Sequence, residues 1–339
     1  MGVDVRFAAV YFQKTPAEYV EWVQVADEVG FDLIGTGDSQ SLWPELYVLL
    51  TLTALNTSTA QVGPVVTNPI TRHPAVAASG IAALQDVSDG RAFYGLGSGD
   101  SAVYNLGLKA CRVDEVAEHA DVVRRLCDGE AVDYRGDEIQ LHWPTQRVPI
   151  YLAAEGPRML RLAGRIADGV FVAGGLSPEV IAHTRALIAE GARSAGRDPD
   201  DIEVWWMVKF LLAESEQAGV DALKFTLASS ANHVFRFSFD DKLVPERYEE
   251  PIRKLQERYV FSEHAQVHSS GANAALVEEL GLTDWLAERF AITGPPELCA
   301  ERIQEVASMG ASNLVLTQLV PDPLAEMRRW SRDLFPLVR

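Results

Sequence analysis

The chain has 339 residues, 47% of them hydrophobic and 23% charged, and a formal net charge of −18. This composition suits a folded protein with a large core and excludes intrinsic disorder, while the strong negative charge argues against nucleic acid and anionic membranes as partners. Three widely spaced cysteines without a CxxC pair signal neither a disulfide framework nor a zinc site.

The first residues, Met1 to Arg6, carry neither a secretory n-region nor a myristoylation pattern and lead straight into a strand. Apolar runs rich in β-branched and aromatic residues predict strands at 5–12, 31–36, 60–66, 92–97, 149–154, 169–174, 202–213 and 313–318. In the first crossover, Tyr19, Trp22, Val23 and Ala26 share one helical face, and Gly30 stops the helix. Residues 131–146 read as a hairpin or extended excursion, and residues 216–290 as a polar, helix-prone insertion too long for a plain loop. Thr293-Gly294-Pro295-Pro296-Glu297 opens a further helix with Cys299, Ile303 and Val306 facing inward, closed by Gly310. Strand–helix alternation eight times over predicts an α/β fold, a (β/α)8 TIM barrel with insertions, the largest about 216–290, as a single domain over 1–339. No apolar stretch is long enough to span a bilayer, so the expected location is the cytoplasm.

A parallel barrel carries its chemistry at the C-terminal ends of its strands. Asp38 follows strand 2, with Trp43 in the same loop, and Val65-Val66-Thr67-Asn68 ends strand 3 and leads toward Arg72. Gly97-Ser98-Gly99-Asp100-Ser101 follows strand 4, Glu155-Gly156-Pro157-Arg158-Met159 follows strand 5, and Ala173 and Gly174 follow strand 6. Asp38 and Asp100 form a pair of carboxylates suited to proton transfer, and each alone also fits a helix cap. Gly156-Pro157-Arg158 opens a helix directly from a strand, which suits a phosphate; an ordinary turn with proline in the first helical position is the alternative. The glycines at 95–99 lack dinucleotide-fingerprint spacing and leave open a phosphate nest or a simple turn at the barrel rim. His264 and His268 stand four apart but without the glutamate of HExxH or a third ligand, so no metal is expected. His233 is not placed by the sequence. Trp205 and Trp206 are adjacent in a strand, so one points into the barrel and the other into the helix layer.

The segments GPVVTNPITRHPAVAASGIAALQDVSDGRAFYGLGSGD (63–100), PIYLAAEGPRMLRLAGRIADGVFVAG (149–174) and ITGPPELCAERIQEVASMG (292–310) together resemble the luciferase-like superfamily. They resemble more closely its branch containing methylenetetrahydromethanopterin reductase. The likeness covers most of the chain and is thin over 216–290. It implies a barrel that binds FMN or the deazaflavin coenzyme F420 at its mouth, the ring resting on a strand-3 bulge with a cis Val65–Val66 peptide. Asp38, Thr67, Asn68, Gly99 and Asp100 are then expected around the ring and ribityl chain, with Asp38 and Asp100 the catalytic candidates. Gly156, Pro157, Arg158 and Met159 are expected near the phosphate, and Gly97, Ser98, Ser101, Glu155, Ala173 and Gly174 in the same cofactor cradle. Tyr11, Phe12 and Trp43 are expected to line a pocket for a small, partly apolar organic substrate.

Two departures bear on the reaction. Val10 is apolar where the pterin reductases carry a glutamate, and Asp38-Ser39-Gln40 lacks the histidine common in deazaflavin-dependent dehydrogenases of the superfamily. Both weaken hydride transfer and lean the expectation toward a monooxygenase using reduced FMN from a separate reductase. A coenzyme F420-dependent reductase or dehydrogenase is the alternative, and a non-catalytic flavin-binding barrel a third reading. A homodimer or homotetramer is implied by the resemblance alone.

Overall fold

In the computed structural model, residues 3–10, 15–143, 145–263, 271–317 and 320–339 are described. The expected pocket residues Tyr11 and Phe12, and the histidine pair His264 and His268, lie outside them. Strands β1 (Arg6–Val10), β2 (Leu33–Thr36), β3 (Gln61–Pro64) and β4 (Tyr94–Leu96) come first, followed by a hairpin of β5 (Val132–Tyr134) and β6 (Asp137–Ile139). Then come β7 (Ile150–Ala153), β8 (Gly169–Val172), β9 (Glu203–Leu212), β10 (Ala291–Gly294) and β11 (Asn313–Thr317). All except the hairpin join one parallel sheet, ordered β3-β2-β1-β11-β9-β8-β7-β4. Its two ends meet through parallel bridges, Val62 to Ala92 and Thr67 to Leu96, which close the barrel. The hairpin turns on Arg135 and Gly136, both with positive φ (58° and 93°), as a two-residue connection requires.

The eight expected strands are all present, slightly shorter than their apolar runs. One strand departs from the sequence reading, which starts a helix at Thr293. Ala291–Gly294 is instead β10, paired with the upper half of β9 from Lys209 to Leu212, and the helix begins at Pro296. Only two apolar residues, Ala291 and Ile292, mark the strand, and its Gly294 with the prolines that follow reads as a helix start.

Helices cover the outside of the sheet: α1 (Pro16–Val29), α2 (Leu46–Asn56), α3 (Pro74–Val87), α5 (Val113–Cys127), α6 (Pro157–Ile166) and α7 (Pro178–Ser194), while the short α4 (Ser101–Tyr104) lies at the mouth. In α1 the Thr15 hydroxyl caps the N-terminus, the four expected residues are buried, and Gly30 ends the helix at φ 83°. No helix among the described residues is long and apolar enough to cross a membrane.

Strand alternation divides the core. Val10, Leu33, Phe93, Phe171, Trp205 and Val315 fill the barrel, while Phe7, Ile34, Val62, Trp206 and Leu314 face the helices. Glu203 closes the bottom, accepting from the Tyr151 hydroxyl at 2.8 Å and pairing with Arg6 at 3.3 Å.

The long insertion is helical, built from α8 (Glu216–Val234), α9 (Glu246–Arg258), α10 (Ala272–Glu279) and α11 (Thr283–Phe290). Leu227, Ala231, Ile252, Leu255, Val277 and Leu286 form its own apolar cluster. A lone polar loop could not hold its place over the barrel; this packed unit can.

Candidate active site

At the top of β3 the chain bulges inward, and the Val65–Val66 peptide is cis, at the position the resemblance implies. Both valines pack against the barrel interior. Neighbouring strands make room with glycine. A Cβ on Gly95 would lie 2.0 Å from the Pro64 carbonyl oxygen, and one on Gly63 2.2 Å from that of Phe93. On Gly35 and Gly97 it would meet the Val65 and Val66 methyls at 2.5 and 2.9 Å. Beyond the bulge pairing resumes, with the Thr67 N–H on Gly95 O and the Gly97 N–H on Thr67 O, both at 2.9 Å.

One polar cluster is built wholly from the loops after β2 and β3. The Asp38 side chain, 6% exposed, accepts from the Thr67 hydroxyl and is ion-paired with the Arg72 guanidinium. The other arm of Arg72 reaches Glu45 at 2.6 Å. Burial works against the Arg72 charge, but the two carboxylates prevail and raise its pKa. Asn68 is buried and its side-chain oxygen accepts from the N–H groups of Ile70 and Thr71, both at 3.0 Å, which holds the turn into α3. Trp43 is half-buried and donates its backbone N–H to Ser39 O at 2.9 Å.

The second cluster is shared between barrel and insertion. Asp100 heads α4 but its side chain caps nothing. It pairs instead with His233 Nδ1 and Arg236, each at 3.0 Å, and His233 Nε2 reaches Glu155 at 3.1 Å. Burial alone would raise the Asp100 pKa; His233 and Arg236 overcome it and hold the carboxyl well below its usual range. Glu155 is lowered in the same way, against burial, chiefly by the charge of His233. The Glu155 charge, opposed by burial and helped by Asp100, pushes His233 up to about 10, so this histidine is a cation at neutral pH. From α11, Arg289 donates to the carbonyls of Gly174, Lys242 and Leu243 at 2.8, 2.6 and 3.0 Å, binding the insertion to the loop after β8.

The two clusters touch. Asp38 and Asp100 each stand in a Gly-Asp-Ser triplet, and the hydroxyls of Ser39 and Ser101 are hydrogen-bonded at 2.9 Å. Gln40 adds a bond to Ala102 O at 2.8 Å. Neither aspartate is thus the helix cap that each could have been.

At the remaining side of the mouth, α6 starts at Gly156 and Pro157 with no side chain capping it, and nothing lies within 4 Å of where a Gly156 Cβ would be. Its first N–H groups therefore have no side-chain cap. Arg158 is exposed beside them, whereas Met159 packs onto the helix-layer core. Gly99 takes φ +103°, and the Ser98 carbonyl accepts from the Cys111 N–H at 2.8 Å. Ala173 packs against the apolar cluster of the insertion. An apolar bulge, a polar rim and an uncapped helix N-terminus together suit a flat ring with an anionic tail.

Sequence reasoning missed Arg72 as the mate of Asp38, and Arg236 and Arg289 from the insertion, and it singled out His233 without being able to place it. It also passed over Lys209, though a lysine at an alternate position of the apolar run IEVWWMVKFLLA is a readable signal.

A family model described as luciferase-like monooxygenase matches residues 5–313. The chain is 31% identical to the 5,10-methylenetetrahydromethanopterin reductase of Methanolobus tindarius, covering 87% of this chain and 88% of that protein. It is 28% identical to the F420-dependent glucose-6-phosphate dehydrogenase of Microbacterium testaceum, covering 100% and 99%. Among solved structures, the coenzyme F420-dependent tetrahydromethanopterin reductase from Methanopyrus kandleri matches with a TM-score of 0.79 and 26% identity, over 99% of this chain and 100% of that one. The long-chain alkane monooxygenase LadA shares the fold at a TM-score of 0.71 and 16% identity, over 99% and 91%.

Proposed function

We propose, from the premise that this chain belongs to the luciferase-like family and is an oxidoreductase, that it works with the deazaflavin coenzyme F420 and moves a hydride to or from a small organic substrate. The observation that carries this reading is the near full-length similarity to F420-dependent enzymes, which runs through the long insertion as well as the barrel. It moves the balance from the reduced-FMN monooxygenase to its alternative. The monooxygenases RslO1 and LadA match at 20% and 16% identity, a likeness that concerns the fold.

The residues of the mouth fit such a cofactor. Bound there, the deazaflavin supplies or accepts the hydride. Val65 and Val66 would back the ring, with Thr67 and Asp38 at its edge, and the free N–H groups of α6 with Arg158 would take the phosphate. Gly97, Gly99 and Ser98 would border the chain between them. The His233 and Arg236 clasp holds the insertion over the mouth, which limits water at the reacting atoms. Trp43 is proposed to border the substrate, and Trp43→Ala is expected to raise KM more than it lowers kcat.

Titration of the purified protein with F420, FMN and reduced FMN, followed by fluorescence, tests the reading. Tight binding of F420 in preference to either form of FMN supports it. Preference for reduced FMN, with an oxygen adduct absorbing in the near ultraviolet, would restore the monooxygenase.

A further inference from the structure

We propose that Lys209 is the catalytic acid of this site, giving a proton to the carbonyl oxygen of an aldehyde or ketone as it is reduced to an alcohol. This rests on the hydride-transfer reading above. Lys209 lies on the column of β9 that carries Trp205 and Met207, whose side chains pack in the barrel interior. One step higher, Leu211 packs against the insertion. The ammonium is thus set between the apolar floor and the cover of the mouth.

Among the described residues the Lys209 ammonium has no hydrogen-bond or ion-pair partner. The other charged groups around it are engaged. Asp38 is held by Arg72 and Thr67, Asp100 by His233 and Arg236, Glu155 by His233, and Lys242 donates to Val234 O. Val10, on β1 two strands away across β11, is apolar and buried. The strands that flank β9 contribute no titratable residue across Gly169–Val172, Ala291–Gly294 or Asn313–Thr317. The one charge Lys209 senses strongly is that of Glu155; burial pushes its pKa down to about 8, with Glu155 acting the other way. A lysine in that range gives and regains a proton near neutrality.

The chemistry selects the substrate class. The substrate carbon receives a hydride, with both electrons, from the reduced deazaflavin. The π pair of the C=O bond moves onto oxygen, and oxygen takes a proton from Lys209 Nζ. The resulting amine regains a proton through water, matched by the one that oxidation of the deazaflavin releases. A charged iminium would become a neutral amine without any proton donor, so a poised lysine points to a carbonyl.

The chain has six lysines, and competitive acetylation of the protein across a pH series, read by mass spectrometry, reports each of them separately. Lys209 is expected to titrate about two units below the exposed lysines and to be shielded when F420 is bound. Ordinary titration without shielding overturns the proposal. Benzaldehyde and cyclohexanone serve as hydride acceptors for the F420-reduced wild type, Lys209→Met and Lys209→Arg. Lys209→Met is expected to bind F420 as the wild type does and to lose about 100-fold in kcat. Lys209→Arg is expected to recover KM but not kcat, because a guanidinium holds its proton. Full recovery by arginine, or a wild type that reduces neither carbonyl, overturns the acid role. A wild type that binds no F420 at all instead removes the reading beneath it, and the binding titration separates that failure from the others.

Discussion

Asp38 and Asp100 occupy the same local sequence, a Gly-Asp-Ser triplet at the end of a barrel strand, yet they are secured by different parts of the chain. Asp38 finds its partners 29 and 34 residues away, in Thr67 and Arg72, so its half of the mouth forms as the early strands pair. Asp100 is bound by Arg236, 136 residues along, and by His233 on α8. That half is complete only when the insertion has docked. The difference teaches that the early half of the mouth is part of the barrel proper, whereas the later half is an interface within one chain, and the two should respond differently to the same kind of damage.

The largest effect is expected from Arg72→Met, which leaves the buried Asp38 carboxylate without its cation. A loss of about 3 kcal/mol is expected in urea unfolding, affecting the whole barrel. Arg289→Met removes the donor for three carbonyls and should cost about 2 kcal/mol. Its signature is regional: limited proteolysis should open residues near 242–243 before the barrel. Comparable cleavage throughout the chain would erase the distinction between the halves.

His233→Gln sharpens the comparison through pH. The raised pKa of His233 makes its contribution full below the ordinary value near 6.5 and lost as pH rises through about 10. Asp100 and Glu155, both lowered, contribute above their ordinary values and lose that contribution as pH falls through their lower folded-state values. With His233 41% exposed, solvent screening leaves about 1 kcal/mol. The gap between wild type and His233→Gln should therefore be widest at mildly acidic pH and vanish toward pH 10. A gap that grows with pH would contradict the clasp. Smallest of all, Gly156→Ala meets open space and should change stability by less than about 0.5 kcal/mol, while weakening F420 binding if the phosphate sits at α6.

The barrel was legible because strands covered on both faces are continuous apolar runs, and the loops that follow them carry the polar residues. Gly35, Gly63, Gly95 and Gly97 were visible as letters, but only the bulge explains them together. β10 escaped because only Ala291 and Ile292 in it are apolar, and Thr293-Gly294-Pro295-Pro296 reads as a helix start. His233, Arg236 and Arg289 escaped because nothing local in a polar helical segment says which side chains turn toward a barrel far away in sequence. Asp38 could be picked out as a site candidate, yet its binding to Arg72 depends on how α3 is entered, which the buried Asn68 turn decides.

The glycine surround of the bulge also limits how this site can be re-engineered. An alanine at Gly63 or Gly95 runs into main-chain oxygen from another strand, where no rotamer change offers relief. A library meant to alter substrate or cofactor preference is better spent on the opposite wall, at Met207 and Val315 with Lys209 kept, where side chains rather than backbone define the shape.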